Sequence, residues 1–153
     1  MRLYSFVNYY LSPLQHGLQT AHCVSDMSGR YTMSDRRGDA YLAWAASHKT
    51  IIICNGGNVA MLEDLHTRLT DFADEFNLPL VKFYEDEQSL NNALTSVAII
   101  VPEKFYDTQF QKAEMTGAKS AYEYLDTNGY LTMYWEGTRE FDFIQLLKSF
   151  RLA

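Results

Sequence analysis

The sequence has few cysteines, few prolines and no long apolar run, and each shortage excludes a class of protein. Its two cysteines, Cys23 and Cys54, form no C-x-x-C pair, so no disulfide framework is expected. The longest apolar runs, TIIIC and SVAIIVP, are far too short to span a membrane. The first residues, MRLYSFVNYYL, have too short an apolar core for a signal peptide. A cytoplasmic location and one ordered domain are the expectation for these 153 residues.

Positive charge is also scarce. The chain carries 13 Lys and Arg against 19 Asp and Glu, a net charge of −6. This balance argues against strong non-specific binding of nucleic acid, which depends on neutralising phosphates. The segment GRYTMSDRRG nevertheless brings Arg30, Arg36 and Arg37 close together. They form either a local basic patch or three solvated loop arginines.

Hydrophobic periodicity predicts an α/β core over residues 1–102. Four strands are expected at Arg2–Tyr9, Lys49–Asn55, Leu80–Tyr84 and Ser96–Pro102. Three helices are expected at about Gly17–Met27, Ser34–Ser47 and Val59–Phe76. The nearly continuous apolar run KTIIICN is typical of a strand covered on both faces. The last two strands are joined by about eleven residues with no helical pattern, too few for a usual parallel crossover, which favours a mixed sheet with one antiparallel strand.

Residues 103–153 form an α+β C-terminal extension in this interpretation, packed on the same domain. A helix is expected near Ala118–Leu125, stopped by Asn128-Gly129. The alternating stretch YLTMYW is typical of a strand or hairpin arm. A last helix is expected over about Arg139–Leu152.

The first helix carries an unusual number of polar groups. Gln19, His22 and Asp26 share one face because helical neighbours recur every three or four residues. Asp26 is expected to orient the imidazole of His22, which would make His22 a general base. The alternative is that His22 is a half-buried structural histidine bonded to Asp26. The stripe expected to pack on the sheet is Leu14, Leu18, Ala21 and Ser25.

Several of these segments together resemble a known family. They are the helix start GLQTAHC, the helix containing Trp44, the strand KTIIICN, the long Leu-rich helix, LPL before a strand, and LTSVAIIVP at the end of a polar loop. This order resembles the type 2 peptidyl-tRNA hydrolases, the small archaeal and eukaryotic type, and their divergent relatives, some encoded by phages. The resemblance covers residues 1–102.

The resemblance implies a three-layer α/β fold with a mixed four-stranded sheet, and cleavage of the ester between peptide and tRNA without metal or organic cofactor. It implies catalytic roles for His22, which stands where the family has glutamine, for Asp86 in the acidic loop, and for Thr95 at the end of that loop. Asp86 either orients a water or is one of three solvated loop acids with Glu85 and Glu87. Leu18 stands where the family has lysine, and His16 is either a turn residue or a replacement for that lysine. The remaining residues expected to contact substrate are Gln19, Asp26, Arg36 and Arg37.

Two functions remain open at this point. The first is a divergent hydrolase that binds tRNA or peptidyl-tRNA, with Arg36 and Arg37 facing the tRNA. The second is a catalytically inactive module of the same fold that engages a protein or nucleotide partner, for example a phage factor acting on a host system. The resemblance also implies a homodimer, whose interface the aromatic-rich extension either supplies or blocks. No metal-ligand spacing is present.

Overall fold

A computed structural model describes residues 1–153, apart from the side chain of Ser89. The chain divides into two units, Met1–Val101 with Phe150–Ala153, and Pro102–Ser149. The first unit contains four strands, β1 Arg2–Asn8, β2 Ile51–Gly57, β3 Leu80–Tyr84 and β4 Leu94–Val101. Its helices are α1 Pro13–Arg30, α2 Arg36–Ala43, α3 Val59–Phe76 and the single turn α4 Glu87–Leu90.

The sheet of the first unit has the order β2-β1-β4-β3. Strands β1 and β2 are parallel, whereas β4 runs antiparallel to both of its neighbours. The expected α/β class and the mixed four-stranded sheet are therefore confirmed. The link between β3 and β4 is indeed short, although it contains the helical turn α4, which the sequence pattern did not indicate.

Helices cover both faces of this sheet. On one face, Leu3, Ala98 and Ile100 pack against Cys23 of α1 and Trp44. The opposite face carries the fully buried Phe6, Val97 and Ile99, and α3 packs on the sheet with an apolar stripe along its length. That stripe consists of Leu62, Leu65, Leu69 and Phe72. Asn58 caps α3 by accepting a hydrogen bond from the Met61 N–H at 2.9 Å, which satisfies one of the helix's unpaired donors.

The strand that is buried along its whole length is β4, not β2. The prediction that KTIIICN is covered on both faces is wrong, because β2 lies at the edge of the sheet and Ile51 is 41% exposed. The predicted last helix also ends early, at Lys148. Residues 150–153 instead run along β2, where the Asn55 N–H donates to the Arg151 carbonyl and the Ala153 N–H to the Ile53 carbonyl, both at 2.9 Å. They occupy part of an edge that would otherwise present unpaired backbone groups.

The second helix begins where its cap predicts. Asp35 accepts a hydrogen bond from the Gly38 N–H at 2.7 Å, and α2 continues into a π-helical turn at Trp44–His48. Lys49 ends that turn in a left-handed conformation, with φ of 54°.

The second unit is built around a three-stranded antiparallel sheet in the order β5-β6-β7. Its elements are α5 Glu103–Tyr106, β5 Gln109–Gln111, β6 Ala121–Leu125, β7 Leu131–Trp135 and α6 Arg139–Lys148. The predicted strand in YLTMYW is confirmed. The helix predicted near Ala118–Leu125 is wrong, since this segment is the central strand β6. Asn128-Gly129 forms the β6–β7 hairpin turn, in which Asp126 accepts from the Asn128 and Tyr130 N–H groups, each at 2.9 Å.

Candidate active site

The polar side chains of the first unit collect at one edge of its sheet. This is the edge where β1, β2 and β3 end and where the antiparallel β4 begins. Both flanking strand pairs are irregular here. Gly56 is an extra residue of β2, inserted between the partners of Val7 and Asn8, and Thr95 is an extra residue of β4, between the partners of Phe83 and Tyr84. Bulges of this kind are frequent beside active sites because they redirect a side chain.

The bulge in β4 determines what Thr95 contacts. In a regular strand, Thr95 and Ser96 would face opposite sides of the sheet. Here both contact the same residue of α1: the Thr95 hydroxyl donates to the Gln19 side-chain oxygen at 2.8 Å, and the Ser96 hydroxyl donates to the Gln19 carbonyl at 3.2 Å. The extra residue therefore turns both hydroxyls toward α1.

Gln19 connects this hydroxyl pair to a carboxylate. Its side-chain nitrogen donates to Glu85 Oε2 at 2.8 Å, so the amide accepts from Thr95 on one side and donates to Glu85 on the other. The Phe83 carbonyl lies 3.3 Å from the Thr95 hydroxyl, but a hydroxyl has one proton and the shorter contact is to Gln19. Gln19 and Thr95 are 4% and 1% exposed, so both are held rigidly.

Glu85 is the half-buried end of this chain of hydrogen bonds. Its second oxygen, Oε1, accepts from the Asp86 N–H at 3.3 Å, and its own N–H donates to the Ala93 carbonyl at 2.9 Å, which closes the loop between them. Asp86, the acid predicted to be catalytic, is exposed, and its carbonyl accepts from Leu90 and Asn92. Of the three acids in this loop, Glu85 is the one that the hydrogen bonds join to Gln19 and Thr95.

His22 lies one turn beyond Gln19 on α1. It is exposed, and its ring stacks on Phe83 with centroids 4.3 Å apart and planes 7° from parallel. The expected pair with Asp26 is absent among the described residues, where no hydrogen bond joins the two side chains, and Asp26 is itself exposed. The imidazole thus packs on an aromatic face and is not hydrogen-bonded to the Asp26 carboxylate.

The packing face of α1 differs from the predicted one. Leu14 and Leu18 are 75% and 51% exposed, and Ala21 and Ser25 are exposed as well. The residues that α1 buries are Gln19, Thr20, Cys23 and Met27. The prediction failed because it assigned the polar stripe to solvent, whereas Gln19 and Thr20 find hydrogen-bond partners on the sheet and can be buried without leaving polar groups unsatisfied.

Cys23 and Thr20 extend the buried network along α1. The Cys23 sulfur lies 3.0 Å from the Ser96 hydroxyl, and burial raises the pKa of Cys23 to about 12. A thiol with this pKa is protonated at neutral pH, so Cys23 does not act as a nucleophile. The Thr20 and Ser5 hydroxyls are 2.8 Å apart, and Thr20 also donates to the His16 carbonyl at 2.8 Å.

His16 lies in the first turn of α1, and its Nε2 atom is buried. Within the described part of the chain, that nitrogen has no hydrogen-bond partner. A buried, unsatisfied ring nitrogen costs about 1–3 kcal/mol of stability. The Nε2 atom of His16 is therefore shielded from solvent in this arrangement.

The arginines predicted to face tRNA lie away from this edge. Arg37 donates to the Asp74 carboxylate at 2.7 Å and to the Ala73 carbonyl at 3.2 Å, near the end of α3. Since α3 starts at the site edge and rises 1.5 Å per residue, Asp74 is about 20 Å along it. Arg36 is exposed at the start of α2. The structure does not bring Arg36 or Arg37 together with Gln19 and Thr95, and Leu18 is 51% exposed.

Wider features of the chain add little to this site. No cluster of three or more His, Cys, Asp or Glu side chains that would suit a metal ion occurs among the residues described. None of the helices in the described structure has the length and apolarity needed to cross a membrane. No protein-family model matches the chain, and no curated protein matches it in sequence.

Sequence reasoning missed Glu85, Ser96 and Thr20 as members of the site. The sequence could have indicated Glu85, because it directly follows the last residue of β3, and side chains at strand ends lie at the edge of the sheet. No feature of the sequence marks Ser96 or Thr20, since each is a single hydroxyl whose hydrogen-bond partner lies far away in sequence.

Proposed function

We propose that the chain is a hydrolase of the peptidyl-tRNA type, which cleaves the ester between a peptide and the 3′ end of tRNA. The observation that supports this proposal best is the chain of hydrogen bonds from the buried Thr95 through the buried Gln19 to the half-buried carboxylate of Glu85. Gln19 and His22 are neighbours on one helix face, so the carboxylate that Gln19 holds lies near the imidazole.

The proposed chemistry divides between these two groups. His22 accepts a proton from water as the water oxygen attacks the ester carbonyl carbon, and it then returns the proton to the departing 3′ oxygen of the tRNA. Glu85, fixed by Gln19 and by the Asp86 N–H, orients the water. Thr95 and Gln19 are positioning residues, because they act on the reaction through Glu85. The products are a peptide with a free carboxylate and a tRNA with a free 3′ hydroxyl.

The decisive experiment is release of the acyl group from an N-acetyl-aminoacyl-tRNA by the purified protein. Glu85→Gln keeps the size of the side chain and removes its charge, and His22→Ala removes the base. Each is expected to reduce turnover at least about 100-fold, the usual range for loss of a general base. Glu87→Gln is the matched control, because Glu87 is an exposed acid of the same loop.

The outcomes separate the roles clearly. Loss of activity in Glu85→Gln and His22→Ala with retention in Glu87→Gln supports the proposal. Equal activity in all four proteins assigns the hydrolysis to a contaminant or to another site. Absence of turnover in the unsubstituted protein at high enzyme concentration overturns the enzyme proposal.

A second function, a binding module of the same fold, is favoured by the exposed face of α1. Leu14 and Leu18 lie one helical turn apart on α1 and are 75% and 51% exposed, and Tyr10, just before the helix, is 76% exposed. An apolar stripe of this kind suits a protein interface, and no cation stands where the family has lysine. Binding through this stripe should change little with salt concentration, whereas tRNA binding should weaken steeply as salt rises.

A further inference from the structure

The sheet of the first unit has two edges, and the chain itself covers part of one of them. At the β2 edge, residues 150–153 pair with the backbone of Ile53 and Asn55. At the opposite edge lies β3, and in the described part of the chain no further strand pairs with its outer side. An edge of this kind presents backbone donors and acceptors to which an extended peptide can bind.

The hydrogen bonds of β3 show which of its residues direct their backbone outward. The N–H and C=O of one strand residue point the same way, and successive residues alternate between the two sides. The Pro79 carbonyl accepts from β4, whereas the Leu80 N–H and carbonyl both bond to the Tyr31 hydroxyl, at 3.2 and 2.8 Å. Leu80, Lys82 and Tyr84 therefore direct their backbone groups away from β4.

Tyr31 closes the first of these three positions, and the other two remain open. No hydrogen bond from a described residue reaches the outward N–H and C=O groups of Lys82 and Tyr84. Their side chains are held over α3, where the Tyr84 hydroxyl donates to Glu63 at 2.9 Å and the Lys82 ammonium lies 3.8 Å from the other Glu63 oxygen. A lysine often protects a sheet edge with its charge, but this ammonium is drawn toward Glu63. The open stretch lies between Tyr31 and Glu85.

We propose that the peptide part of the substrate adds to β3 as an extra strand, on the backbone of Lys82 and Tyr84. This inference rests on the proposed hydrolase function. Because β3 runs toward Glu85 and the ester is at the carboxyl end of the peptide, the peptide lies parallel to β3. Its ester then lies beyond Tyr84, level with Glu85, and its earlier residues extend toward Tyr31. Pairing through the main chain accepts peptides of any sequence, as a hydrolase of varied peptidyl-tRNAs requires.

Parallel pairing determines which groups of the substrate are bound. With the C-terminal residue opposite Tyr84, the penultimate residue donates its N–H to the Lys82 carbonyl and accepts from the Tyr84 N–H. The carbonyl of the fourth residue from the ester accepts from the Lys82 N–H. A longer peptide reaches Leu80, whose backbone groups are already bonded to Tyr31. Recognition therefore ends at the fourth residue.

The test compares tRNAs that carry N-acetylated peptides of one, two, three and four residues. The second residue adds the penultimate N–H, and with the third residue the acetyl carbonyl takes the place of the fourth carbonyl. Each step should raise kcat/KM about five-fold, the gain from one hydrogen bond, and the fourth residue should add nothing. In the tripeptide, N-methylation of the penultimate residue should remove the first gain. N-methylation of the residue before it is the matched control, because that N–H points away from β3.

Two proline variants test the edge from the side of the protein. Lys82→Pro removes an outward N–H and leaves the hydrogen bonds between β3 and β4 in place, so it should remove the gain from the third residue. Ile51→Pro makes the same change at the opposite edge and should keep that gain. Ile51 is a suitable control because the Thr50 carbonyl accepts from Leu3 of β1, so the next residue directs its N–H outward. Circular dichroism checks that both variants are folded, and the N-methylated substrates test the unsubstituted chain.

Hydrogen exchange separates this peptide edge from the proposed reaction. N-acetyl-trialanine at millimolar concentration carries no ester, and it should slow exchange of the Lys82 and Tyr84 amides. Slowed exchange in a protein without turnover supports the peptide edge and overturns the hydrolysis alone. Turnover that is equal for all four peptides, with unchanged exchange of both amides, overturns the peptide edge and leaves the hydrolysis. Protection that appears without peptide as protein concentration rises would overturn it in favour of pairing between two copies of β3.

Discussion

Thr95 and Gln19 lie 76 positions apart in the sequence, yet the Thr95 hydroxyl donates a hydrogen bond to the Gln19 side-chain oxygen at 2.8 Å, in a region closed to solvent. The contact depends on the bulge in β4, because a regular strand would turn Thr95 away from α1. It fixes the orientation of the Gln19 amide, since the oxygen must face the hydroxyl and the nitrogen must face Glu85. The position of the Glu85 side chain therefore depends on one bulge residue, Thr95, in the neighbouring strand β4.

Removing this hydroxyl should destabilise the protein. Thr95→Val keeps the shape of the side chain but leaves the buried Gln19 oxygen without its donor, at an expected cost of about 1–3 kcal/mol in the free energy of unfolding. Denaturant unfolding measures it. Thr67→Val is the control, because Thr67 is an exposed residue of α3 whose hydroxyl bonds only to the Glu63 carbonyl, and its change should stay within about 0.5 kcal/mol. Equal effects in the two variants would show that the Thr95–Gln19 contact adds nothing.

Opposite effects are expected for alanine at two glycines. At Gly56, the extra residue of β2, a Cβ would lie 2.4 Å from a Leu62 methyl group and 3.1 Å from the Val7 carbonyl oxygen. Gly56→Ala should therefore destabilise by about 1–3 kcal/mol through overpacking. At Gly29, in the last turn of α1, nothing lies within 4 Å of an added Cβ. Gly29→Ala should raise stability by up to about 1 kcal/mol, since alanine is the better helix former. Thermal unfolding of both variants distinguishes the signs.

The elements predicted well are those whose evidence is local. The helix Val59–Phe76 and the strand Leu80–Tyr84 have the predicted bounds. The helix carries a repeated apolar spacing and follows its cap Asn58 directly, so its evidence is contained in one short stretch of sequence. Residues 121–125 are predicted to belong to a helix that Asn128-Gly129 stops. Pairing with β5 and β7 on either side makes them a strand instead, and such pairing is invisible in the segment itself.

The candidate site was predictable in location but not in detail. A polar helix start and an acidic loop after a strand both lie at one edge of the sheet, and Gln19 and Thr95 are both part of the hydrogen-bond network at that edge. The choice of Asp86 over Glu85 and the outward orientation of Leu14 and Leu18 could not be decided from the sequence. Both depend on hydrogen-bond partners that are far apart in sequence, such as Thr95 and Gln19.

The two cysteines make stability fall at alkaline pH. Burial raises the pKa of Cys23 to about 12 and that of Cys54 to about 11, against about 9 for an exposed thiol. Above pH 9 the unfolded chain releases these protons while the folded protein retains them, so the free energy of unfolding falls as pH rises toward 11. Below pH 9 the thiols contribute no pH dependence. Denaturant titrations from pH 7 to about 10.5 should show a smaller fall in Cys23→Ala than in the unsubstituted protein. Identical slopes would contradict the assignment.

The last residues should stabilise the first unit through Phe150. Its ring meets Phe6, which is fully buried, edge to face at 4.6 Å between centroids. Phe150→Ala should lower the free energy of unfolding by about 2 kcal/mol, below the usual cost of a fully buried aromatic because Phe150 is only partly buried. Leu152→Ala is the matched control in the same segment. Leu152 is 74% exposed, so its change should stay within about 0.5 kcal/mol.

If the chain is a hydrolase of the proposed type, Leu18→Lys should raise its activity. Leu18 stands where the resemblance to type 2 peptidyl-tRNA hydrolases would place a lysine, and at 51% exposure it can be replaced without loss of core packing. An ammonium at this position would stabilise the negative charge that develops on the ester oxygen or bind a neighbouring phosphate. We expect at least about a ten-fold rise in kcat/KM, less than a pre-organised donor supplies, because a long lysine side chain samples several orientations.

Leu14→Lys, one turn earlier and 75% exposed, adds the same charge outside that position and should leave the rate nearly unchanged. Equal increases in both variants would indicate general attraction of tRNA, which salt would abolish. No increase in either, with a basal rate of zero, would favour the binding module, in which the leucine stripe itself contacts the partner.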